Sequence, residues 1–225
     1  MTLRSWAHTF AGGTFSTSMA KLNARHPWSH NDYFHSWILA NLPEPCKVAL
    51  DVGCGRGGLV ATLAARVDQV IGIDVDETMR VEASRRCAGL SNVTITAGPW
   101  TDGNDDDLDL VTMVATLHHL DAADALAQVR RRLRPRGRFL AVGLAPPTTA
   151  RDYAWDIASI VTNPIIGYVT HPWPSREGTP VHLPVPMRDP TLPFDQLRRL
   201  LDRLMPGAVL RHRLGFRHTI EWTKP

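Results

Sequence analysis

Asp51 is followed by glycines at alternate positions, Gly53, Gly55 and Gly57, with Gly58 directly after. An acid beside a glycine turn can do binding chemistry. Glycine tolerates positive φ and carries no Cβ to block the close approach of a ligand. Val48 to Val52 precedes the turn as a short, mostly apolar run with β-branched residues, which predicts a buried parallel strand. Leu59 to Arg66 follows it with helical periodicity. Strand, turn and helix in that order bring backbone N–H groups and a helix N-terminus up to a ligand.

Two ligands compete for this turn. Gly53-x-Gly55-x-x-Gly58 satisfies the dinucleotide spacing, and Asp74 lies about 20 residues on, at the end of a second apolar run. Asp51 argues the other way, because a carboxylate at the strand end repels a pyrophosphate. It suits a ligand with a cationic centre and an amino-acid portion, and S-adenosylmethionine has a sulfonium and an ammonium. The acid therefore favours the methyl donor over NAD.

Four segments in order, LDVGCGRGG, IGIDVDETM, LDLVTMVATLHHL and LRPRGRFLAVGL, resemble the motif set of class I S-adenosylmethionine-dependent methyltransferases. The resemblance covers roughly residues 28 to 145 plus a terminal hairpin. Within the superfamily it is nearest to the small bacterial "methyltransferase type 11" proteins. It implies an α/β, Rossmann-like fold with helices on both faces of a seven-stranded, mostly parallel sheet. Strand order 3-2-1-4-5-7-6 with an antiparallel last strand comes from the resemblance and not from periodicity.

The resemblance also distributes roles. Asp51, Gly53, Cys54 and Gly55 form the donor turn, Asp74 accepts hydrogen bonds from the ribose hydroxyls, and Val75 and Met79 flank the adenine. Met79 reads equally well as core. Asp76 is the N-cap of the next helix, a structural acid. Gly98, Pro99 and Trp100 stand where many members carry an acid that reads the adenine amino group. Gly98 replaces that acid, so backbone groups, stacking or Asp102 must serve instead. Val114 and Ala115, at the end of the fourth strand, set donor carbonyls and the first acceptor contacts.

The candidate catalytic residues are His118, His35 and Tyr33. An imidazole titrates near neutral pH and can take a proton from an acceptor; the alternative for His118 is a polar residue that lines the pocket. His119 is expected to pack inward. His35 and Tyr33 lie on a helix before the first strand, where members place a lid; Ser29 is its expected cap. The chain lacks the Asn/Asp-Pro-Pro-aromatic signature of base-amino methylation, so that activity is disfavoured. His26 and His30 are four apart, but Pro27 intervenes and no HExxH pattern exists. Cys46, Cys54 and Cys87 have no CxxC spacing. No metal is expected.

At 225 residues and 44% hydrophobic content, the chain suits one cored α/β domain. The expected organisation is an arm and lid helix (1–45), a donor-binding core (46–145), a proline-rich cap insertion (146–193), then a last helix and terminal hairpin (194–225). Ten prolines fall in the cap and rule out ordinary strands over most of it, leaving a helix at Asp152 to Ile160. The net charge is +3, and only three of the 25 basic residues are lysines. That balance promises no long positive groove, and Arg130, Arg131, Arg132 and Arg134 read as a solvated helix end and not as a nucleic-acid patch. No signal peptide or membrane span is apparent, so a cytoplasmic protein is expected, monomer or homodimer, with a small-molecule acceptor. The expected reaction is O- or N-methylation of a metabolite or natural product, giving S-adenosylhomocysteine. The readings left open are a donor-binding protein or non-methylating enzyme of the same fold, an RNA or protein methyltransferase, and a nicotinamide oxidoreductase; Asp51 and the lack of a Tyr-x-x-x-Lys pair weigh against the last.

Overall fold

Apolar runs that cannot face water on either side must lie inside a covered sheet. The computed structural model describes residues 31–98, 100, 107–170 and 189–225, and in it β1 (Val48–Val52), β2 (Gln69–Ile73), β3 (Val93–Thr96), β4 (Leu108–Val114) and β5 (Leu133–Gly143) all run parallel. β6 (Val209–Arg213) and β7 (Arg217–Thr223) form the terminal hairpin, and β7 joins β5 antiparallel. The order is β3-β2-β1-β4-β5-β7-β6, as the resemblance implied. The strand order reverses between β1 and β4, which opens a crevice outside their carboxyl ends.

Helices cover both faces. A 3-10 turn (Asp32–Phe34) leads into α1 (His35–Ala40); α2 is Gly58–Leu63 and α3 is Glu77–Arg86. Ile38, Leu59, Val60, Leu63 and Ala83 from these helices pack with Ala49, Leu110 and Leu140 on one face. The other face holds Leu50, Val111, Met113 and Phe139 under α4 (Ala122–Arg132) and α6 (Phe194–Leu204). Alternate residues of each strand thus feed opposite layers. Asp76 caps α3, accepting from the Thr78 and Met79 amides, as its sequence position predicts.

Asp109, the acid of β4, is buried, accepts the Lys47 and Val48 amides at 2.7 and 2.8 Å, and pairs with Arg134. A buried carboxylate demands such partners, and the amides opening β1 supply them. The arginines at the end of α4 are only in part a solvated end: Arg130 and Arg131 are exposed, with Arg130 reaching the Leu204 carbonyl. Arg132 is buried and donates to the Trp100 carbonyl, and Arg134 also reaches the Pro45 carbonyl. Lastly, α5 runs Ala150–Thr170, well beyond Ile160 and with Pro164 inside it. Its start is a reciprocal cap: the Thr149 amide donates to the Asp152 carboxylate, and the Asp152 amide donates to Thr149 Oγ1.

Candidate active site

The glycine turn spends its own amides. Gly53 and Cys54 N–H both donate to the Ile73 carbonyl at the end of β2, at 2.7 and 3.0 Å. Gly55 N–H donates to Asp74 Oδ2 at 2.8 Å, and Gly57 N–H to the Cys54 carbonyl at 3.0 Å. A turn that cradles a pyrophosphate needs these donors free. Here the four are committed, which corrects the expectation that they face a ligand. What remains is space. Gly55 has φ +52°, and a Cβ there would meet nothing within 4 Å. At Gly53, φ is +73° and a Cβ would stand 2.3 Å from Thr116 Oγ1, so the missing side chain lets the end of β4 close onto the turn.

Asp74 organises this corner. Its second oxygen accepts the Asp76 amide at 2.9 Å. A carboxylate offers about four lone-pair sites, so two remain for a sugar diol. Asp51 lies beneath, almost fully buried, with the Thr112 hydroxyl donating to Oδ1 at 2.7 Å. Burial pushes its carboxyl up to about 7, partly offset by the Thr112 bond and reinforced by Asp74. Cys54 plugs the turn from below: its sulfur lies close over Gly72, and burial pushes the thiol upward out of reactive range. Ala115 adopts φ +55° where β4 ends, held by its amide to the Val142 carbonyl at 2.7 Å. A non-glycine residue in that region marks a constrained site.

Beyond Ala115 a 3-10 turn (Leu117–His119) carries the two histidines. Their rings lie 4.1 Å apart, with His118 partly covered and His119 exposed, so His119 does not pack inward. His118 borders a cavity of about 300 Å³ between the strand ends and α4 and α6. Across it stands His218 of β7, opposite Gly143 of β5, buried and lowered to about 3 by burial, with His212, Arg217 and His118 adding to the effect. Behind it, His212 is stacked between Phe194 (3.7 Å) and Trp155 (5.8 Å), with Nε2 3.4 Å from Asp152. Burial would raise the Asp152 carboxyl, but hydrogen bonds from Thr148 and Thr149 lower it.

The lid elements meet a different part of the site. His35 touches the Gly58 position at the start of α2 and pairs with Asp32 at 3.5 Å; burial lowers its pKa. It does not border the His118 cavity. Tyr33 is half exposed, edge-on to Phe34. Val75 stands in solvent, Met79 is buried, and Gly98 has φ +112°. Trp100 is a core residue and not a donor-surface one: its ring joins the layer under α4 and α6. Pro99, Asp102, Ser29, His26 and His30 lie outside the described residues. Among the described residues no group of His, Cys, Asp and Glu is arranged to hold a metal, and no helix is long and apolar enough to cross a membrane.

Sequence reasoning missed Thr112, Thr116, Gly143 and His218. A signal existed for the last. His218, Ile220 and Trp222 alternate along one strand, and all three are buried, so the histidine occupies a core-facing position.

Residues 49–137 match the family described as a methyltransferase domain. The chain is 29% identical over 201 residues to an uncharacterized methyltransferase of Mycobacterium tuberculosis, across 88% of this chain and 98% of that one. A nocamycin O-methyltransferase of Saccharothrix syringae is 36% identical over 123 residues, half of this chain and 43% of its own. In fold it is similar to a SAM-dependent methyltransferase from Aquifex aeolicus, with a TM-score of 0.58 at 18% identity over 92% and 98% of the two chains. The family match and these relatives support the class I S-adenosylmethionine-dependent methyltransferase superfamily and a methyltransferase activity.

Proposed function

We propose that the protein methylates an oxygen or nitrogen of a small molecule, holding its methyl donor at the Gly53–Gly57 turn and its acceptor at the end of β4. The observation that carries this reading is the state of the turn. Its amides are spent internally, its Gly55 face is open, and Asp74 keeps acceptor capacity toward that face. Such a surface is poor for a pyrophosphate and good for a diol and an ammonium. Asp74 holds the ribose, Asp51 supplies negative potential beneath the amino-acid portion, and the turn and Ala115 carbonyls complete the contacts. Val75, Met79 and Gly98 border the adenine side; Pro99 belongs to the same stretch.

S-adenosylmethionine supplies a methyl group on a positively charged sulfur and leaves as S-adenosylhomocysteine. The chain's part is to align the acceptor and exclude water. The acceptor's bond to carbon forms as the carbon–sulfur bond breaks, and the acceptor's proton passes to His118. His35 and Tyr33, on the lid beside α2, orient the ligands from the donor side. The acceptor cap is expected from the segment after β5, of which Thr191 and Leu192 line the cavity and residues 171–188 lie outside the described residues, and no metal enters the reaction. The relative named as an O-methyltransferase supports oxygen as the atom modified.

Calorimetric titration with S-adenosylmethionine, S-adenosylhomocysteine and NAD tests the reading. Micromolar binding of the two sulfur ligands, lost in Asp74→Ala, is expected. Binding of NAD alone would overturn it.

A further inference from the structure

Among the described residues, His218 is a buried imidazole whose own chain contacts leave a polar atom unmatched. A neutral imidazole carries one N–H and one lone pair, and leaving a buried polar atom without a partner is costly. His218 Nε2 is fully buried and has no hydrogen-bond partner among the described residues. It lies over Gly143, where an added Cβ would stand 2.4 Å away. Gly143 thus reserves the space that this ring edge occupies. Both residues line the cavity that His118 also lines. The rest of the wall is mostly apolar, with Leu117 and Leu120 from the end of β4, Leu144 from the end of β5 and Leu197 from α6, and Asp121 and Thr191 are its other polar members.

Resting on the acceptor reading above, we infer that His218 is an acceptor-binding residue and that the acceptor is a hydroxyl compound with an apolar body, seated with its hydroxyl between His218 and His118. Chemistry favours a hydroxyl over the other groups an imidazole can meet. A hydroxyl both donates and accepts, so it satisfies Nε2 in either tautomer. A carboxylate only accepts and would also meet Asp121, and an ammonium only donates, so each satisfies Nε2 in one tautomer alone. The groups facing His218 do not offer it a proton either. His212 and Arg217 on the hairpin and His118 on the β4 turn all disfavour a second positive charge, and burial holds the ring neutral down to about pH 3. The Asp152 carboxylate is directed at His212 instead. At about 300 Å³ the cavity accepts a substituted phenol or a medium-chain alcohol. Oxygen, and not nitrogen, is then the methylated atom.

The test uses the full chain and three probes of one shape: 4-propylphenol, propylbenzene and 4-propylbenzoate. Binding of each is measured by ligand-observed NMR, without and with saturating S-adenosylhomocysteine. The wild type should bind the phenol about tenfold more tightly than the hydrocarbon and more tightly than the carboxylate. His218→Phe should lose the phenol preference while still binding the hydrocarbon, with S-adenosylhomocysteine affinity within twofold of wild type. Gly143→Ala, which displaces the ring without removing it, should weaken the preference as well and keeps the test open where His218→Phe does not fold. In the wild type, the His218 imidazole nitrogen resonances should move with the phenol and stay still with the hydrocarbon. Equal binding of phenol and hydrocarbon, tighter binding of the carboxylate, or a preference that survives in both variants would overturn the assignment. Failure of S-adenosylhomocysteine to bind at all would sink the donor reading separately, since the probe comparison is also made without it.

Discussion

The donor turn and the cavity beside His118 sit at neighbouring strand ends and treat their polar groups in opposite ways. At the turn, the chain satisfies itself. Asp74 takes the Gly55 and Asp76 amides, Gly53 and Cys54 share the Ile73 carbonyl, and Thr112 meets Asp51. At the cavity, His218 Nε2 has no partner among the described residues and the surroundings are mostly leucine and alanine. A pre-satisfied turn holds its shape without ligand, so little ordering is left for binding to impose. An unsatisfied imidazole in an apolar wall places its free energy on the ligand, which is how a site distinguishes one polar group from another.

The largest break in this contrast comes from Asp74. Asp74→Ala removes two charge-assisted bonds and the diol contact together, and S-adenosylhomocysteine affinity should fall at least about 100-fold by calorimetry. Binding of propylphenol at the cavity should hardly change. His118→Ala should do the reverse: turnover drops by about 10²–10⁴ while donor affinity stays within about twofold. Steady activity in that variant would remove His118 as the base. Gly53→Ala tests the contact between the regions. It forces a side chain onto φ +73° and into Thr116, so denaturant melts should show a loss of about 1–3 kcal/mol.

The smallest effects are in pH. Asp51 is raised from 3.8 to about 7, so the unfolded chain ionises first. Its contribution to stability therefore declines as pH rises from about 4 through 7, and Asp51→Asn should abolish that slope. His218 is lowered from 6.5 to about 3, so the unfolded chain gains its proton first. Its contribution declines as pH falls below about 6.5, and His218→Phe should flatten that arm. Between about pH 4 and 6.5 the two slopes oppose each other, and thermal melts of the single variants should separate them. Donor affinity should also rise with pH up to about 7 in the wild type and not in Asp51→Asn, because only the ionised carboxylate attracts an ammonium.

Local rules carried the donor half. Apolar runs, glycine spacing and an N-cap aspartate act within a few residues of one another, so β1, its turn, β2 and the α3 cap were legible with their acids. Trp100 was misplaced for the opposite reason: a tryptophan beside a strand end can face a ligand or the core, and only α4 and α6 decide which. Arg132 and Arg134 misled likewise. Their partners, at Trp100 and Asp109, lie far away in sequence.

By itself the sequence indicated the strand, glycine turn and helix around Asp51, which rest on periodicity and on groups adjacent along the chain. Through the resemblance it also indicated the class of fold and the expected places of Asp74 and His118. Only the tertiary structure decided that the turn's amides are consumed by β2, that Gly143 yields its space to His218, and that His35 serves the α2 side and not the cavity. Those facts depend on strands brought together from distant parts of the chain. A histidine on β7 acquires its meaning only when β5 is laid beside it.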